Sequence, residues 1–376
     1  MWNAWMQEGL VALREESRLR QVRPDEGIAF SHNDYLGLSG HSVIREAGQR
    51  ALSQVSAGGR GSRLLGGHSE VVNEAEMRIA RFFHSPTALL FSTGYQANLG
   101  VIQSLASLAD SVVSDANNHA SIIDAIRLSR LEKCVVNHQA WEEWHPKEGQ
   151  RPVLVAESLY SMDGDFIDER AIRSAWDRSQ GFLVLDEAHA VGVFGPTGRG
   201  LSEPWRDWSR MAVVVTFGKA FGVGGGAVLC SKTFRDWLVN HARTFIYTTA
   251  LPPVVPAMLS AAMKVMEEEG EARRKQLWKR AQKVRAILKE GGVPAGDGGG
   301  DWGPSSPIIP VFVPGNDRAL RFSQGMRDSG WDLRAIRYPT VPQGLERIRI
   351  SLNLLATEEQ TETMAREVVK QWKAFS

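Results

Sequence analysis

Short apolar runs alternate with helix-like segments from about residue 42 to residue 260. An unbroken apolar run of four to six residues is typical of a strand buried on both faces of a sheet. Strands that alternate with helices predict a mostly parallel sheet covered by helices. The predicted strands are 88–91, 111–114, 153–156, 182–185, 212–215 and 226–230, and the predicted helices include 71–83, 95–108 and 121–130.

The two flanks of this region have different patterns. Residues 1–22 predict an amphipathic helix, with Trp5, Leu10, Leu13 and Leu19 near one face. A long helix is expected at 255–290, followed by a glycine-rich surface loop at 296–301. Beyond the loop we expect a small α+β domain with strands near 308–313 and 348–352 and helices near 317–329 and 357–373.

We therefore predict an α/β protein with three parts. Residues 1–41 form an N-terminal helix and segment, residues 42–262 a large domain with the mostly parallel sheet, and residues 263–376 the small C-terminal α+β domain.

Two predicted strands are followed at once by residues that can carry chemistry. Asp186 follows the run 182–185, and Lys219 follows the run 212–215 within a glycine-flanked turn. In parallel sheets, ligands bind at the carboxyl ends of the strands. A lysine that can form a Schiff base and a carboxylate that can keep a pyridine nitrogen protonated suit pyridoxal phosphate (PLP). Lys219 as an ordinary surface lysine, and Asp186 as a helix cap, are the alternatives.

Composition and charge argue against several classes of function. The 376 residues carry 44 basic and 43 acidic side chains, a formal net charge of +1, so charge gives no reason to expect binding to nucleic acid or a membrane surface. We find no signal-peptide pattern and no apolar run long enough to span a membrane. Cys134 and Cys230 are far apart, form no metal-ligand spacing, and are expected to be buried free thiols in a reducing cytoplasm. No metal site is expected.

Eight motifs follow one another in a recognisable order. They are SHNDYLGL (31–38), STGYQAN (92–98), NHAS (118–121), SMDGD (161–165), DEAH (186–189), TFGKAFG (216–222), FIYTTALPP (245–253) and AIRYPTVP (335–342). Together they resemble the α-oxoamine synthase family of fold-type I PLP enzymes, over nearly the whole chain. This resemblance implies a homodimeric PLP-dependent transferase with shared active sites.

The resemblance also implies roles for single residues around the cofactor. Lys219 would form the Schiff base and later move the proton, Asp186 would bind the pyridinium nitrogen, and His119 would stack on the ring. His189 and Ser161 would contact the phenolic oxygen side of the cofactor.

The phosphate would lie at the start of a helix, where first-turn N–H groups and the helix dipole favour an anion. Gly94 and Tyr95 open that helix, and Thr216 would add a hydroxyl. By resemblance, Thr248 would reach the phosphate from the partner subunit. The glycine-rich segment 58–67 is neither a Walker loop nor a dinucleotide fingerprint, and we assign it no specific role.

For the substrates, the resemblance implies that Arg349 binds the amino-acid carboxylate and that Arg20 and Thr340 contact the acyl group. An ion pair at a domain interface is the alternative for Arg349. The implied reaction condenses L-alanine with a pimeloyl thioester, carried by coenzyme A or by acyl carrier protein, in biotin biosynthesis. Glycine C-acetyltransferase is the alternative enzyme, and an inactive PLP-fold subunit is the alternative without catalysis. Because the lysine, the ring aspartate and the stacking histidine are all present, we favour an enzyme.

Overall fold

The structure, a computed structural model, describes residues 1–298 and 305–375. The helices are α1 (Trp2–Glu15), α2 (Ser42–Gln54), α3 (Glu70–Phe82), α4 (Gly94–Leu105), α5 (Ala120–Ser129), α6 (Glu169–Ser179), α7 (Lys232–His241), α8 (Arg243–Ile246), α9 (Val254–Glu290), α10 (Asn316–Asp328) and α11 (Glu358–Phe375).

The strands are β1 (Ile28–Ala29), β2 (Thr87–Phe91), β3 (Ser111–Asp115), β4 (Glu132–Val136), β5 (Pro152–Glu157), β6 (Phe182–Asp186), β7 (Met211–Thr216), β8 (Gly226–Cys230), β9 (Ile308–Phe312), β10 (Trp331–Asp332), β11 (Arg334–Ile336) and β12 (Arg347–Ser351).

The described chain divides into two compact units. The large unit comprises Leu36–Tyr160 and Phe166–Arg274, and the small unit comprises Met1–Tyr35, Ser161–Asp165 and Lys275–Ser376. Helix α9 runs through the sequence boundary between them. The three domain boundaries that the sequence predicts stay a prediction.

A seven-stranded sheet forms the centre of the large unit, in the order β2-β8-β7-β6-β5-β3-β4. Strands β3 to β7 run parallel, and only β8 is antiparallel to its two neighbours. The predicted mostly parallel sheet is therefore confirmed. Strands β3, β5, β7 and β8 are almost wholly buried, which explains their unbroken apolar runs.

Helix α4 packs against β2, β6, β7 and β8 and places its first turn at one end of the sheet. Val101, Ile102 and Leu105 of this helix are buried in the same apolar cluster as Val184 and Val214 of the sheet. The periodic apolar face of the helix thus fixes where its N-terminus lies.

The small unit contains two further sheets. Strands β11, β12 and β9 form an antiparallel sheet in that order, and β1 pairs in parallel with β10. Because β1 belongs to the N-terminal segment, residues 28–29 are joined by backbone hydrogen bonds to the C-terminal part of the chain. The predicted loop at 296–301 lies partly outside the described residues, since 299–304 are not among them.

The N-terminal helix differs from its prediction. It ends at Glu15 rather than near residue 22, and none of its residues is buried. Ser17 has a positive φ of 54°, and the backbone N–H groups of Arg18 and Leu19 both bond to the Leu13 carbonyl, which closes the helix. Leu19 therefore lies outside the helix, and Trp5 and Leu10 stay exposed.

The expectation that both cysteines are buried is wrong for Cys134. This residue lies on β4, the edge strand of the large sheet, and is exposed. Cys230 lies inside the sheet on β8 and is fully buried. None of the described helices has both the length and the apolar character needed to cross a membrane.

Candidate active site

The ends of three adjacent parallel strands lie side by side at one edge of the large sheet. Asp186 is the last residue of β6 and is paired in register with Glu157, the last residue of β5. On the other side of β6, strand β7 ends at Thr216, three residues before Lys219. The sheet topology therefore places the strand that ends at Asp186 beside the strand that leads to Lys219, the two residues that the sequence predicts to bind the cofactor.

The carboxylate of Asp186 is held by two donors. The side-chain amide of Asn98, on α4, donates to Asp186 Oδ2 at 2.7 Å, and the Ala188 backbone N–H donates to Oδ1 at 2.8 Å. Asp186 itself is buried. These bonds stabilise a negative charge at a fixed position, as a carboxylate that binds a protonated ring nitrogen requires.

His119 lies where the charges of both Asp186 and Lys219 act on it. It caps helix α5, with its Nδ1 bonded to the Ser121 hydroxyl at 2.8 Å and to the Ser121 backbone N–H at 3.2 Å. The surrounding protein desolvates the imidazole and lowers the pKa of His119, the Asp186 charge opposes this, and the Lys219 charge lowers the pKa further. The imidazole is therefore favoured in its neutral form, which suits stacking on a cationic ring.

The turn that carries Lys219 is closed by backbone bonds. The Gly222 N–H donates to the Lys219 carbonyl at 3.0 Å, and the Val223 N–H donates to the Phe217 carbonyl at 2.8 Å. Lys219 itself is partly buried. The turn thus fixes the backbone around Lys219. Its position after β7 places it at the same end of the sheet as Asp186, which ends β6.

The start of α4 and the end of β7 approach each other closely. A Cβ at Gly94 would lie 2.3 Å from Cγ2 of Thr216, so no larger residue fits there without a shift. Thr93 caps the helix by accepting from the Gln96 N–H at 3.1 Å. The first turn of α4 and Thr216, whose hydroxyl donates to the Ala188 carbonyl at 3.4 Å, form a cradle at Gly94, and the N–H groups of such a first turn can bind phosphate. Tyr95 is exposed and donates its hydroxyl to Asp124.

The glycine-rich segment 58–67 packs against the segment that contains Thr248. The Ala250 N–H donates to the Gly61 carbonyl at 2.9 Å, and a Cβ at Gly59 would lie 2.0 Å from the Ala250 carbonyl oxygen. Thr248 also lines a small cavity with Arg63. The structure therefore shows a role that the sequence did not reveal: these glycines allow a close backbone contact with Ala250, two residues after Thr248.

His189 and Ser161 are both buried. His189 lies in the turn after β6, in the large unit, three residues beyond Asp186. Ser161 is the first residue of Ser161–Asp165, which belongs to the small unit. Their predicted contacts to the cofactor stay a prediction.

In the small unit, Arg349 lies on β12 and bonds to neutral groups. Its Nη2 donates to Asn33 Oδ1, and its guanidinium also hydrogen-bonds the hydroxyl of Tyr35. Burial raises the pKa of Tyr35 to about 12, so this hydroxyl stays neutral at physiological pH. Neutral partners leave the positive charge of Arg349 available for a carboxylate, contrary to the ion-pair alternative.

A cavity of about 490 Å³ in the small unit is lined by arginines, among them Arg20 and Arg337. Arg20 Nη2 donates to the Thr340 hydroxyl at 2.9 Å, and Arg337 donates to the backbone carbonyls of Ser17 and Leu19. Burial lowers the pKa of Arg337, and the charge of Arg20 lowers it further. Because neighbouring guanidiniums repel each other, an anionic ligand between them would be strongly favoured.

A family model for class I and II aminotransferases matches residues 25–368, which is most of the chain. The chain belongs to the aminotransferase class I and II family. A curated relative in this family, the 8-amino-7-oxononanoate synthase of Marinobacter nauticus, is 37% identical over 354 residues, which are 93% of this chain and 88% of the relative.

Two solved structures resemble the chain throughout. A serine palmitoyltransferase variant from S. paucimobilis, with a bound PLP–myriocin aldimine, matches with a TM-score of 0.88 at 27% identity, over 98% of this chain and 97% of that one. An 8-amino-7-oxononanoate synthase from Francisella tularensis matches with a TM-score of 0.77 at 26% identity, over 93% of this chain and 99% of that one. The predicted fold-type I transferase fold is confirmed.

In this aminotransferase-family chain, the residues at the strand ends have an arrangement that suits PLP. Only a glycine at position 94 lets the first turn of α4 lie this close to Thr216, so the N–H groups of that turn stay at the end of β7, where a phosphate can bind. Asp186 is fixed by two donors at the strand end, and the charges of Asp186 and Lys219 both act on His119 and on Glu157. A phosphate site, a ring-nitrogen partner and an amine on one sheet edge match the three parts of the cofactor.

Sequence reasoning missed three residues of these sites. Asn98 is four residues after Gly94 in the same helix, and helical spacing could have placed it towards Asp186. Arg337 lies within the AIRYPTVP motif, but nothing in the sequence pairs it with Arg20. Glu157 directly follows the predicted strand 153–156, as Asp186 follows 182–185, but its importance depends on the pairing of β5 with β6.

Glu187, the residue after Asp186, is fully buried. Glu187 accepts from the Ser202 N–H at 2.8 Å and from Arg206 Nη2 at 3.2 Å, and both charged side chains are almost fully buried. Its carboxylate therefore anchors the loop at 200–206.

Replacing Glu187 with alanine is expected to lower the free energy of unfolding by about 3 kcal/mol, because Arg206 would be left buried without its carboxylate. Urea unfolding measures this change. Glu267→Ala, at an exposed position of α9, is the control and should change stability by less than about 0.5 kcal/mol. A Glu187→Ala protein with unchanged stability but weakened PLP binding would instead make Glu187 a cofactor residue.

Proposed function

We propose that this chain condenses L-alanine with a pimeloyl thioester, with loss of carbon dioxide, to give 8-amino-7-oxononanoate in biotin biosynthesis. Its broader class, a PLP-dependent acyltransferase, is confirmed, and so is PLP as the cofactor. The observation that carries the proposal is the 37% identity, over most of both chains, to a relative named 8-amino-7-oxononanoate synthase.

When bound, PLP supplies an aldehyde that reacts with amines and a ring that withdraws electrons from the α-carbon of an amino acid. In the proposal, protein side chains hold the cofactor and move the protons. Lys219 Nζ would hold the aldehyde of the cofactor and, once free of it, would serve as the base for the proton on the alanine Cα. Asp186, held by Asn98 and Ala188, would keep the proton on the ring nitrogen.

Recognition of the two substrates is assigned to the small unit. Arg349 would bind the alanine carboxylate, because its guanidinium is held by the neutral side chains of Asn33 and Tyr35. Arg20 and Thr340 would hold the far end of the acyl chain, and the adjacent Arg337 supports a site for a terminal carboxylate.

The proposed enzyme works as a homodimer in the cytoplasm, with Thr248 of each subunit reaching the cofactor phosphate of its partner. The contact of the glycine-rich segment with Ala250 supports this proposal, because it fixes the backbone two residues after Thr248. Coenzyme A and acyl carrier protein are both carriers of acyl thioesters, so the assay below uses both.

L-Alanine with a pimeloyl thioester is expected to give the highest kcat/KM in a product assay of several amino acids against several acyl thioesters. Acetyl and succinyl thioesters should be clearly poorer, and activity should change gradually with chain length, because one methylene contributes only about 0.8 kcal/mol. If glycine with acetyl-coenzyme A outperformed this pair, the chain would be a glycine C-acetyltransferase instead. Absence of all condensation by PLP-loaded protein would support an inactive subunit.

Arg20→Gln and Arg337→Gln are each expected to raise KM for the pimeloyl thioester about tenfold, because each removes one charged hydrogen-bond donor from the terminal carboxylate. Initial rates with pimeloyl and acetyl thioesters measure the effect, which should be confined to the pimeloyl donor. Arg366→Gln, at an exposed position of α11, is the matched control. An equal loss with both donors would place the arginines away from the carboxylate.

A further inference from the structure

Glu157 is a buried carboxyl group that none of the steps above uses. It ends β5 with 3% of its surface exposed, directly beside Asp186 on the neighbouring strand. Adjacent strands are only about 4.8 Å apart, so two buried carboxylates in register would repel each other strongly. Such a pair is stable when one member carries a proton.

The hydrogen bonds identify the protonated member. Asp186 accepts from Asn98 and from the Ala188 N–H, one donor for each oxygen. Glu157 accepts from the His119 backbone N–H, and its Oε1 has no hydrogen-bond partner among the described residues. The ionised form is thus better stabilised at Asp186, and the neutral form belongs to Glu157.

The charges around Glu157 agree with this assignment. Burial raises the pKa of Glu157 well above its usual range, and the negative charges of Asp186 on β6 and Asp115 on β3 raise it further. The positive charge of Lys219, after β7, and the hydrogen bond from His119, before α5, act in the opposite direction but do not outweigh burial.

Glu157 is also part of the attachment of His119 to the sheet. The Glu157 N–H donates to Asn118 Oδ1 at 3.1 Å, and Asn118 Nδ2 donates to the Val155 carbonyl at 2.8 Å. The carboxyl group of Glu157 then receives the N–H of His119, the next residue. The 118–119 turn is therefore tied to the end of β5 by both backbone and side-chain bonds.

We propose that Glu157 is a positioning residue: a protonated carboxyl that ties His119 to the end of β5 without placing a second negative charge beside Asp186. This inference rests on the proposed cofactor site. His119 can keep its place over the ring only if its turn is held. An ionised Glu157 would compete with Asp186 for the positive charges in the site.

The test compares wild-type protein with Glu157→Gln and Glu157→Ala. Two quantities are measured: the Kd for PLP by fluorescence titration, and the pH midpoint of the visible absorbance of bound PLP. Glutamine is neutral and can accept the His119 N–H, so Glu157→Gln should keep Kd within about threefold and leave the midpoint in place. Glu157→Ala loses that acceptor and should raise Kd about tenfold or more.

Two results would overturn the inference. A midpoint lowered by about one pH unit or more in Glu157→Gln would show that a negative charge on Glu157 had stabilised the protonated nitrogen that joins Lys219 to bound PLP. A wild-type Kd in Glu157→Ala, with its fold verified by circular dichroism, would show that the tie to His119 has no effect. If the alanine variant does not fold, the pH midpoint of Glu157→Gln still shows whether Glu157 is charged. Failure of the wild-type protein to bind PLP would overturn the proposed function as well, whereas the two results above leave it standing.

Discussion

Replacing Lys219 with alanine is expected to lower kcat by about 10⁴-fold or more, because the variant loses both the amine that binds the cofactor and the base that moves the Cα proton. The fold should be preserved, since the turn is closed by backbone bonds that do not involve the side chain. PLP should still bind through the cradle at Gly94 and through Asp186. Single-turnover and steady-state rates with L-alanine and pimeloyl thioester measure the loss.

The control for this variant is Lys232→Ala, at an exposed lysine that begins α7, which should keep wild-type kcat. Borohydride reduction of the PLP-loaded wild-type protein, followed by peptide mapping, should place the phosphopyridoxyl group on Lys219. A label on any other lysine would defeat the assignment, even if Lys219→Ala were inactive for another reason.

Asp186→Asn is expected to lower kcat by about 10²- to 10³-fold with little change in stability. The amide has the shape of the carboxylate but cannot hold a positive charge on the ring nitrogen, so the ring withdraws electrons less effectively. The visible spectrum of bound PLP should change in parallel with kcat. Steady-state kinetics distinguish this loss of kcat from a change in substrate binding, which would appear in KM.

Glu267→Gln serves as the control, since it makes the same chemical change at an exposed position of α9. If Asp186→Asn retained most of its activity, the proposed role of this carboxylate at the ring nitrogen would be wrong. Asn98→Ala should lower kcat less than Asp186→Asn does, because it removes one of the two donors that hold Asp186 but leaves the charge of the carboxylate.

The buried strands of the large sheet were predicted to within one or two residues, because a strand covered on both faces is an apolar run. Strand β4 was missed, since its first four residues are exposed at the sheet edge and include Glu132 and Lys133. The end of α1 was missed because it depends on the left-handed backbone of Ser17, which the sequence does not reveal.

Among the site residues, Asp186 and Lys219 could be predicted because Asp186 directly follows an apolar run and Lys219 lies in the glycine-flanked turn after one. Glu157 could not be assigned in the same way, because its importance depends on β5 lying next to β6 in register. The partnership of Arg20 with Arg337 likewise depends on the fold of the small unit, which brings together residues more than 300 positions apart.

The order of the proposed site residues along the chain has a consequence for biosynthesis. The residues proposed to hold the cofactor all lie between 94 and 248, and the complete seven-stranded sheet ends at residue 230. The N-terminal segment, by contrast, needs strand β10 for β1 and Thr340 for Arg20. A chain that leaves the ribosome N-terminus first therefore finishes its cofactor residues while the substrate-binding residues still lack their partners. The order of synthesis matches the order in which the proposed reaction needs its ligands: cofactor first, substrates second.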